Sequence, residues 1–258
     1  MARAADILVK TLTEHGVDRA FCVPGESYLA VIDAMYDAPE IDVVTTRHEG
    51  GAGFMAVADA KMTGKPGIVM VSRGPGATNA SIGVHVAQQD AVPMVMFVGQ
   101  VAREDIGRNA FQEVDYSQTF GDMAKWIVEI TEADKIAENV RRAFTIAQSG
   151  IPGPVIVSLP EDMLLDQTDA PALGPTKIIQ PKPDAGDIVE LCDMLSAAER
   201  PVIIAGGQIG GERGREALRA VSESWNVPVA VSWRHQDLFD VDHPNYACHL
   251  AFNMPPVF

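Results

Sequence analysis

The chain has 258 residues, enough for one large α/β domain or for one domain and part of a second. Its 35 acidic and 20 basic residues give a formal net charge of −15, which argues against binding to nucleic acid or to an anionic membrane surface. Hydrophobic residues make up 47% of the chain, so a sizeable core can be buried, yet no apolar run is long enough to span a bilayer.

The N-terminus lacks the apolar segment of a secretory signal, because charged residues interrupt residues 2–12. The three cysteines, Cys22, Cys192 and Cys248, are widely spaced and form neither a disulfide framework nor a zinc pattern. Reduced thiols and a cytoplasmic location are therefore expected.

The first 165 residues alternate between helical and strand-like patterns of apolar residues. Helices are predicted at 4–15, 27–36 (with Ser27 as its N-cap), 49–62, 77–89, 114–120 and 133–148. Strands are predicted at 20–23, 41–45, 67–72, 93–98 and 154–158. Strands that alternate with helices form βαβ units, so the pattern predicts an α/β fold: a doubly wound, mostly parallel sheet flanked by helices.

Residues 166–187 differ from this pattern, because they contain four prolines and little apolar periodicity. They are predicted to be an interdomain linker. A helix at 188–197, a strand at 201–205, a glycine turn at 206–211, a helix at 213–225 and a strand at 227–232 then open a second α/β domain. Residues 235–258 hold no complete further unit. The expected domains are 1–165, the linker 166–187, and the truncated start of a second α/β domain at 188–258.

Glu49 stands at the predicted start of a helix, directly before two glycines. A structural explanation is available, because Thr46 and Glu49 fit the spacing of a capping box. The glycines at 50, 51 and 53, however, cost a helix up to ~1 kcal/mol each relative to alanine. Such residues are tolerated where a ligand or another backbone must approach closely. Glu49 is therefore interpreted as a candidate cofactor contact.

Two further segments have unusual sequences. Residues 72–79 follow a predicted buried strand and begin a predicted helix. They lie at the carboxyl end of that strand, where parallel sheets bind ligands. Residues 111–113, Phe-Gln-Glu, fall in a long irregular stretch after a strand. The structural alternatives are a tight turn for the first and a surface loop with a buried phenylalanine for the second. His243 and His249 could form a metal pair, but packing or surface roles are favoured, and no metal site is predicted.

Together these segments resemble the N-terminal, pyrimidine-binding domain of thiamine-diphosphate-dependent enzymes, in particular the acetolactate synthase and pyruvate oxidase branch. They run in family order over about the first 165 residues, and residues 188–258 resemble the start of the family's central domain. The matching segments are residues 21–25, 48–52, 63–67, 74–79, 90–94, 99–101, 111–113 and 153–155.

The resemblance implies that Glu49 hydrogen-bonds the pyrimidine ring of thiamine diphosphate and so activates the cofactor for attack on a 2-oxo acid such as pyruvate. It implies a loop beside the cofactor, a pyrimidine pocket and a substrate-facing segment. The implied residues are Glu49 as the catalytic residue; Pro24, Gly25, Glu26, Glu49, Pro75 and Asn79 around the cofactor; and Phe111 and Gln112 on the substrate side.

Two departures from the family pattern matter. Arg73 stands where many members carry a small polar residue, which implies an added anion contact or a different substrate preference. The Gly-Asp-Gly motif, with which the family binds Mg²⁺ and the diphosphate in a third domain, does not occur in the sequence. The chain alone is therefore expected to be inactive. FAD, which some relatives bind in the central domain, stays open.

Three functions are considered. The first is the N-terminal portion of an acetolactate synthase-like decarboxylase and carboligase. The second is the pyrimidine-domain subunit of a split decarboxylase, and the third is a non-catalytic binding module. A homodimer or higher oligomer formed through the pyrimidine domain is expected in each case, since missing domains leave apolar surface exposed.

Overall fold

A computed structural model describes residues 1–179 and 181–251, which fall into two compact units divided between Ile179 and Gln180. Gln180, within the predicted linker, and residues 252–258, at the end of the predicted second domain, lie outside the described residues.

The first unit alternates helices and strands, as the sequence predicts. Its helices are α1 (Ala4–Glu14), α2 (Leu29–Tyr36), α3 (Glu49–Thr63), α4 (Pro75–Gln89), α5 (Tyr116–Phe120) and α6 (Ile136–Gln148). Its strands are β1 (Ala2–Arg3), β2 (Arg19–Cys22), β3 (Asp42–Thr45), β4 (Gly67–Val71), β5 (Met94–Gln100), β6 (Trp126–Glu129), β7 (Pro154–Pro160) and β8 (Gln167–Thr168).

Six of these strands form one parallel sheet in the order β3-β2-β4-β5-β7-β6. β1 and β8 form a separate antiparallel pair. From β2 the chain moves outward to β3 and then returns to place β4 on the other side of β2. This reversal makes the carboxyl ends of β2 and β4 the topological switch point, where open α/β sheets bind ligands.

The sheet is covered on both faces, which confirms the doubly wound α/β fold. In β4, Ile68 and Met70 pack into one core with α1, α2 and α6. Val69 and Val71 point the other way, into a second core with α3, α4 and α5. All five residues of this strand are buried, as expected for a central parallel strand.

Two local predictions for the first unit are wrong. The strand β6 was not predicted, because it is short, lies at the sheet edge and is only partly buried, so its apolar pattern is weak. Ser27 does not cap α2: residues Glu26–Tyr28 form a 3-10 turn, and the buried Ser27 Oγ accepts a hydrogen bond from the backbone N–H of Arg73 at 3.1 Å. Tertiary contact with the β4 loop has replaced the local cap.

The second unit contains α7 (Ala185–Ala197), β9 (Ile203–Ala205), α8 (Glu212–Trp225), β10 (Val229–Ser232) and β11 (Tyr246–Leu250). The three strands form a parallel sheet in the order β11-β10-β9. β11 was not predicted; its pairing with β10 includes a register shift at Val229–Ala230, and its residues are mostly half-buried. Nowhere in 1–179 or 181–251 is there a helix with the length and apolar character needed to cross a membrane.

Candidate functional site

The loops that follow β2 and β4 touch at the switch point. Gly25 lies against Ser72, so closely that a side-chain carbon on Gly25 would come within 2.6 Å of Ser72 Cβ. The hydroxyls of Ser27 and Ser72 are 3.0 Å apart and hydrogen-bonded. Glycine is needed at position 25 because the two loops leave no room for a side chain.

Glu49 is the first residue of α3 and is half-buried. Its Oε2 accepts a hydrogen bond at 3.0 Å from Nδ2 of Asn79, the fifth residue of α4. The other oxygen, Oε1, accepts no hydrogen bond from the described residues and lies over Gly76, where an added Cβ would be 3.4 Å away. Oε2 is therefore fixed by Asn79, whereas Oε1 faces Gly76, a position without a side chain.

The predicted capping box at Glu49 does not form. His48 is the N-cap, and its Nδ1 accepts a hydrogen bond from the backbone N–H of Gly50 at 3.0 Å. The Thr46 hydroxyl donates to the carbonyl of His48 instead. The capping-box explanation for Glu49 is thus wrong, since another residue caps the helix and the carboxylate reaches Asn79.

α3 and α4 approach each other through glycines. A Cβ on Gly83 would lie 2.6 Å from Gly53 Cα, and a Cβ on Gly53 would lie 3.0 Å from Gly83 Cα. Backbones this close leave no space for a methyl group. The contact brings the N-terminal turns of the two helices together, and with them Glu49 and Asn79.

The Phe-Gln-Glu segment is tied to the β4 loop. Gly74 has a left-handed φ of 51°, and a Cβ there would meet the carbonyl oxygen of Gln112 at 2.7 Å. Gln112 itself has φ 65°, an uncommon conformation for a residue with a side chain and one typical of functional sites. Glu113 accepts hydrogen bonds from the backbone N–H groups of Gly107 and Ala110, which lower the pKa of its carboxyl. Glu113 therefore fixes the loop.

Tyr116 supports this loop from below. Its buried hydroxyl donates to the carbonyl of Gly99 at 3.0 Å and accepts from the backbone N–H of Gly74 at 3.2 Å. Burial raises the pKa of Tyr116 to about 12, so the hydroxyl keeps its proton at neutral pH.

Phe111 is 77% exposed, so the alternative that it is a buried loop phenylalanine is wrong.

Arg73 follows β4 and is buried, and both terminal nitrogens of its guanidinium are paired. Nη1 donates to Glu161 Oε2 at 2.8 Å, and Nη2 donates to Glu26 Oε1 at 2.9 Å. Glu26 is thereby held at the switch point.

The structure brings most of the predicted site residues to this edge of the sheet. Glu49 contacts Asn79 and lies beside Gly76, Gln112 meets Gly74, and Gly25 meets Ser72. Pro24 and Pro75 are exposed at the ends of the β2 and β4 loops. Sequence reasoning gave no role to three supporting polar residues. Ser72 and Glu161 each come just beyond a buried strand, which is their only signal, whereas Tyr116 is the first residue of α5 and lacks that signal.

The two candidate metal histidines are not brought together as ligands. His243 Nε2 lies 3.1 Å from Glu223 Oε1, and its ring packs edge-on against Phe239. Within the described ranges, no group of three histidine, cysteine, aspartate or glutamate side chains is arranged to hold a metal ion.

The fold defines the protein as a doubly wound α/β protein, with a carboxylate beside small residues at the switch point where such sheets bind ligands. Sequence comparison specifies the class: residues 2–119 match the thiamine pyrophosphate enzyme N-terminal TPP binding domain, and residues 188–255 match the central domain of the same enzymes. The chain belongs to the thiamine pyrophosphate enzyme family.

Similar curated proteins are acetolactate synthase subunits. The mitochondrial acetolactate synthase catalytic subunit of Aspergillus candidus is 37% identical over 250 residues, covering 91% of this chain and 36% of the relative. The acetolactate synthase isozyme 3 large subunit of Escherichia coli K12 is 34% identical, covering 94% and 43%. The acetolactate synthase large subunit of Lactococcus lactis is 38% identical, covering 87% and 40%. The chain thus spans less than half the length of each of these relatives.

Proposed function

We propose that the chain supplies the pyrimidine-binding half of a thiamine-diphosphate-dependent, acetolactate synthase-like decarboxylase and carboligase that acts on a 2-oxo acid such as pyruvate. The observation that carries the proposal is the Glu49 carboxylate, with Oε2 held by Asn79 and Oε1 directed over Gly76. The similarity to acetolactate synthase subunits supports the reaction type and the choice of pyruvate.

The residues present fit the pyrimidine ring of the cofactor. Oε1 of Glu49 has a lone pair without a protein donor among the described residues, and Gly76 beneath it leaves room for a flat ring. A ring nitrogen can therefore share a proton with Oε1, while the hydrogen bond from Asn79 keeps the carboxylate in one orientation. When bound, thiamine diphosphate supplies the nucleophile and the electron sink for decarboxylation.

The other site residues position and shape the pocket. The loop of Pro24, Gly25 and Glu26 and the exposed Pro75 border it at the switch point. Gln112, held in its left-handed conformation against Gly74, would face the substrate together with Phe111. Mg²⁺ and the diphosphate would be held by residues outside this chain, and the exposed sides of α3 and α4 would join two copies. The three free cysteines suit a reducing compartment such as the cytoplasm.

Calorimetry tests the proposal on the protein encoded by the native gene, titrated with thiamine diphosphate and Mg²⁺, together with an assay of pyruvate consumption. Glu49→Gln keeps the shape of the side chain but removes its proton-sharing oxygen, and it should lower turnover by about 100-fold or more. Glu40→Gln, at an exposed position before β3, is the matched control and should act like the parent.

The possible outcomes separate the alternatives. Absence of thiamine diphosphate binding by the parent protein would overturn the proposal in favour of a non-catalytic module. Binding that requires a second polypeptide would point to a split decarboxylase. A visible absorption spectrum of the purified protein decides whether flavin is also bound.

A further inference from the structure

Arg73 is the one buried lysine or arginine within the parts of the chain that the structure describes, and its side chain is 10% exposed. Burying a cation is costly unless it is paired and hydrogen-bonded. Arg73 is buried at the topological switch point despite this cost. The contacts of Glu49 do not explain why.

The partners of Arg73 come from two distant parts of the chain. Glu26, 47 residues away, lies in the loop after β2, and Glu161, 88 residues away, directly follows β7. Both carboxylates reach inward from the surface, since Glu26 is 67% and Glu161 41% exposed. One guanidinium therefore joins the carboxyl ends of β2, β4 and β7.

The backbone of Arg73 holds the same loop a second time. Its N–H donates to Ser27 Oγ at 3.1 Å, and Ser27 is the neighbour of Glu26. The guanidinium Nε is buried and meets no acceptor among the described residues, so only the two carboxylates set its orientation. The side chain of Arg73 thus pairs with Glu26, while its backbone N–H is hydrogen-bonded to Ser27.

The local charge argues against Arg73 as an anion contact. One guanidinium between two carboxylates leaves a net negative charge, which would repel the carboxylate of a 2-oxo acid. We propose that Arg73 is a positioning residue that clamps Glu26 and the loop 24–28 beside the cofactor. The inference deepens the proposed function and rests on it.

Hydrogen exchange tests the clamp without any ligand, on the protein encoded by the native gene. In Arg73→Gln, amides of residues 23–29 should exchange about tenfold faster, because the loop opens locally more often, while amides of β5 stay unchanged. Glu161→Gln should show a smaller effect in the same direction, and Arg73→Lys an intermediate one.

Arg103 offers a matched control. Its guanidinium is also held by two carboxylates, Asp162 at 2.7 Å and Asp166 at 2.8 Å, but it does not contact the loop after β2. Arg103→Gln should leave exchange in residues 23–29 as in the parent. Equal acceleration in both variants, or none in Arg73→Gln, would overturn the clamp.

Kinetics then test what the clamp does. Arg73→Gln should raise the KM for thiamine diphosphate about tenfold, with a smaller effect on kcat, and Arg73→Lys should restore part of the loss. The double variant Arg73→Gln/Glu26→Gln should be no worse than Arg73→Gln alone, because both changes break the same ion pair between Arg73 and Glu26. Additive effects would overturn the positioning role. A parent protein that does not use thiamine diphosphate, with the loop still loosened in Arg73→Gln, would overturn the proposed function and the cofactor role of the clamp.

Discussion

The hydrogen bond from Asn79 to Glu49 is the most direct test of the site at the scale of single residues. Asn79→Ala removes the donor to Oε2, so the carboxylate samples more orientations, and affinity for thiamine diphosphate should fall about tenfold. Calorimetry on the protein encoded by the native gene measures this change.

Asn139→Ala is the matched control for Asn79. Asn139 also donates from Nδ2, at 2.9 Å to the Lys135 carbonyl, but it lies on α6, which covers the opposite face of the sheet. Its replacement should leave cofactor affinity unchanged. Equal losses in both variants would mean that the Asn79 effect comes from general destabilisation.

His15 should make stability depend on pH. Its ring packs at a tilt against the ring of Phe144, with 4.4 Å between the ring centroids, and Nε2 is buried without a hydrogen-bond partner among the described residues. Burial, followed by the charge of Arg141, lowers the pKa of His15. The unfolded chain then binds a proton at higher pH than the folded one. Stability contributed by His15 is therefore present above its ordinary pKa of about 6.5 and is lost as pH falls through that value towards the folded pKa.

Urea unfolding at about pH 7.5 and about pH 5.5 measures this dependence. The midpoint should fall less between the two pH values in His15→Gln than in the parent protein. His85→Gln, at an exposed position on α4, should keep the parent's full decrease. Parallel decreases in the parent and in His15→Gln would rule out His15 as the source.

At the scale of elements, the crossing of α3 and α4 depends on two glycines. Gly83→Ala places a methyl group 2.6 Å from Gly53 Cα, where backbone must move, so it should lower the free energy of unfolding by about 1–3 kcal/mol. Gly51→Ala, on α3, should instead raise it by up to about 1 kcal/mol, because the new methyl group meets nothing within 4 Å beyond the adjoining backbone of its own helix.

Chemical denaturation with far-ultraviolet circular dichroism measures both changes. Opposite signs for the same substitution would show that helix contact, rather than helix propensity, decides the result at Gly83. If Gly83→Ala were also stabilising, the two backbones would not be in the close contact that brings Glu49 to Asn79.

The strands buried on both faces were predictable from sequence, and two of the partly exposed strands were not, for a physical reason. Strands such as β4 are buried on both faces and read as continuous apolar runs, whereas β6 and β11 are partly exposed and carry a weak pattern. Glu49 could be named as a candidate because glycines follow it locally. The partners of Arg73 could not, since no local pattern links residues 47 and 88 positions apart.

At the scale of the whole molecule, association should occur through the exposed sides of α3 and α4. Phe54, Met55 and Ile82 are 45%, 47% and 51% exposed and flank the Gly53–Gly83 crossing. Ile82 also reaches the first turn of α3, because a Cβ on Gly50 would be 3.2 Å from its Cγ2. An interface here would exclude water from the surroundings of Glu49.

Sedimentation equilibrium should detect a dimer that Ile82→Glu dissociates, because a charge would be buried in an apolar contact. Tyr36→Glu, at an 89% exposed position on the opposite face of the sheet, should leave the dimer intact. Each chain carries a net charge of −15, so two copies repel each other and salt should strengthen the dimer by screening that repulsion. A dimer that weakens with salt would indicate an interface built on ion pairs. Loss of the dimer in Tyr36→Glu alone would place the contact on α2, away from Glu49.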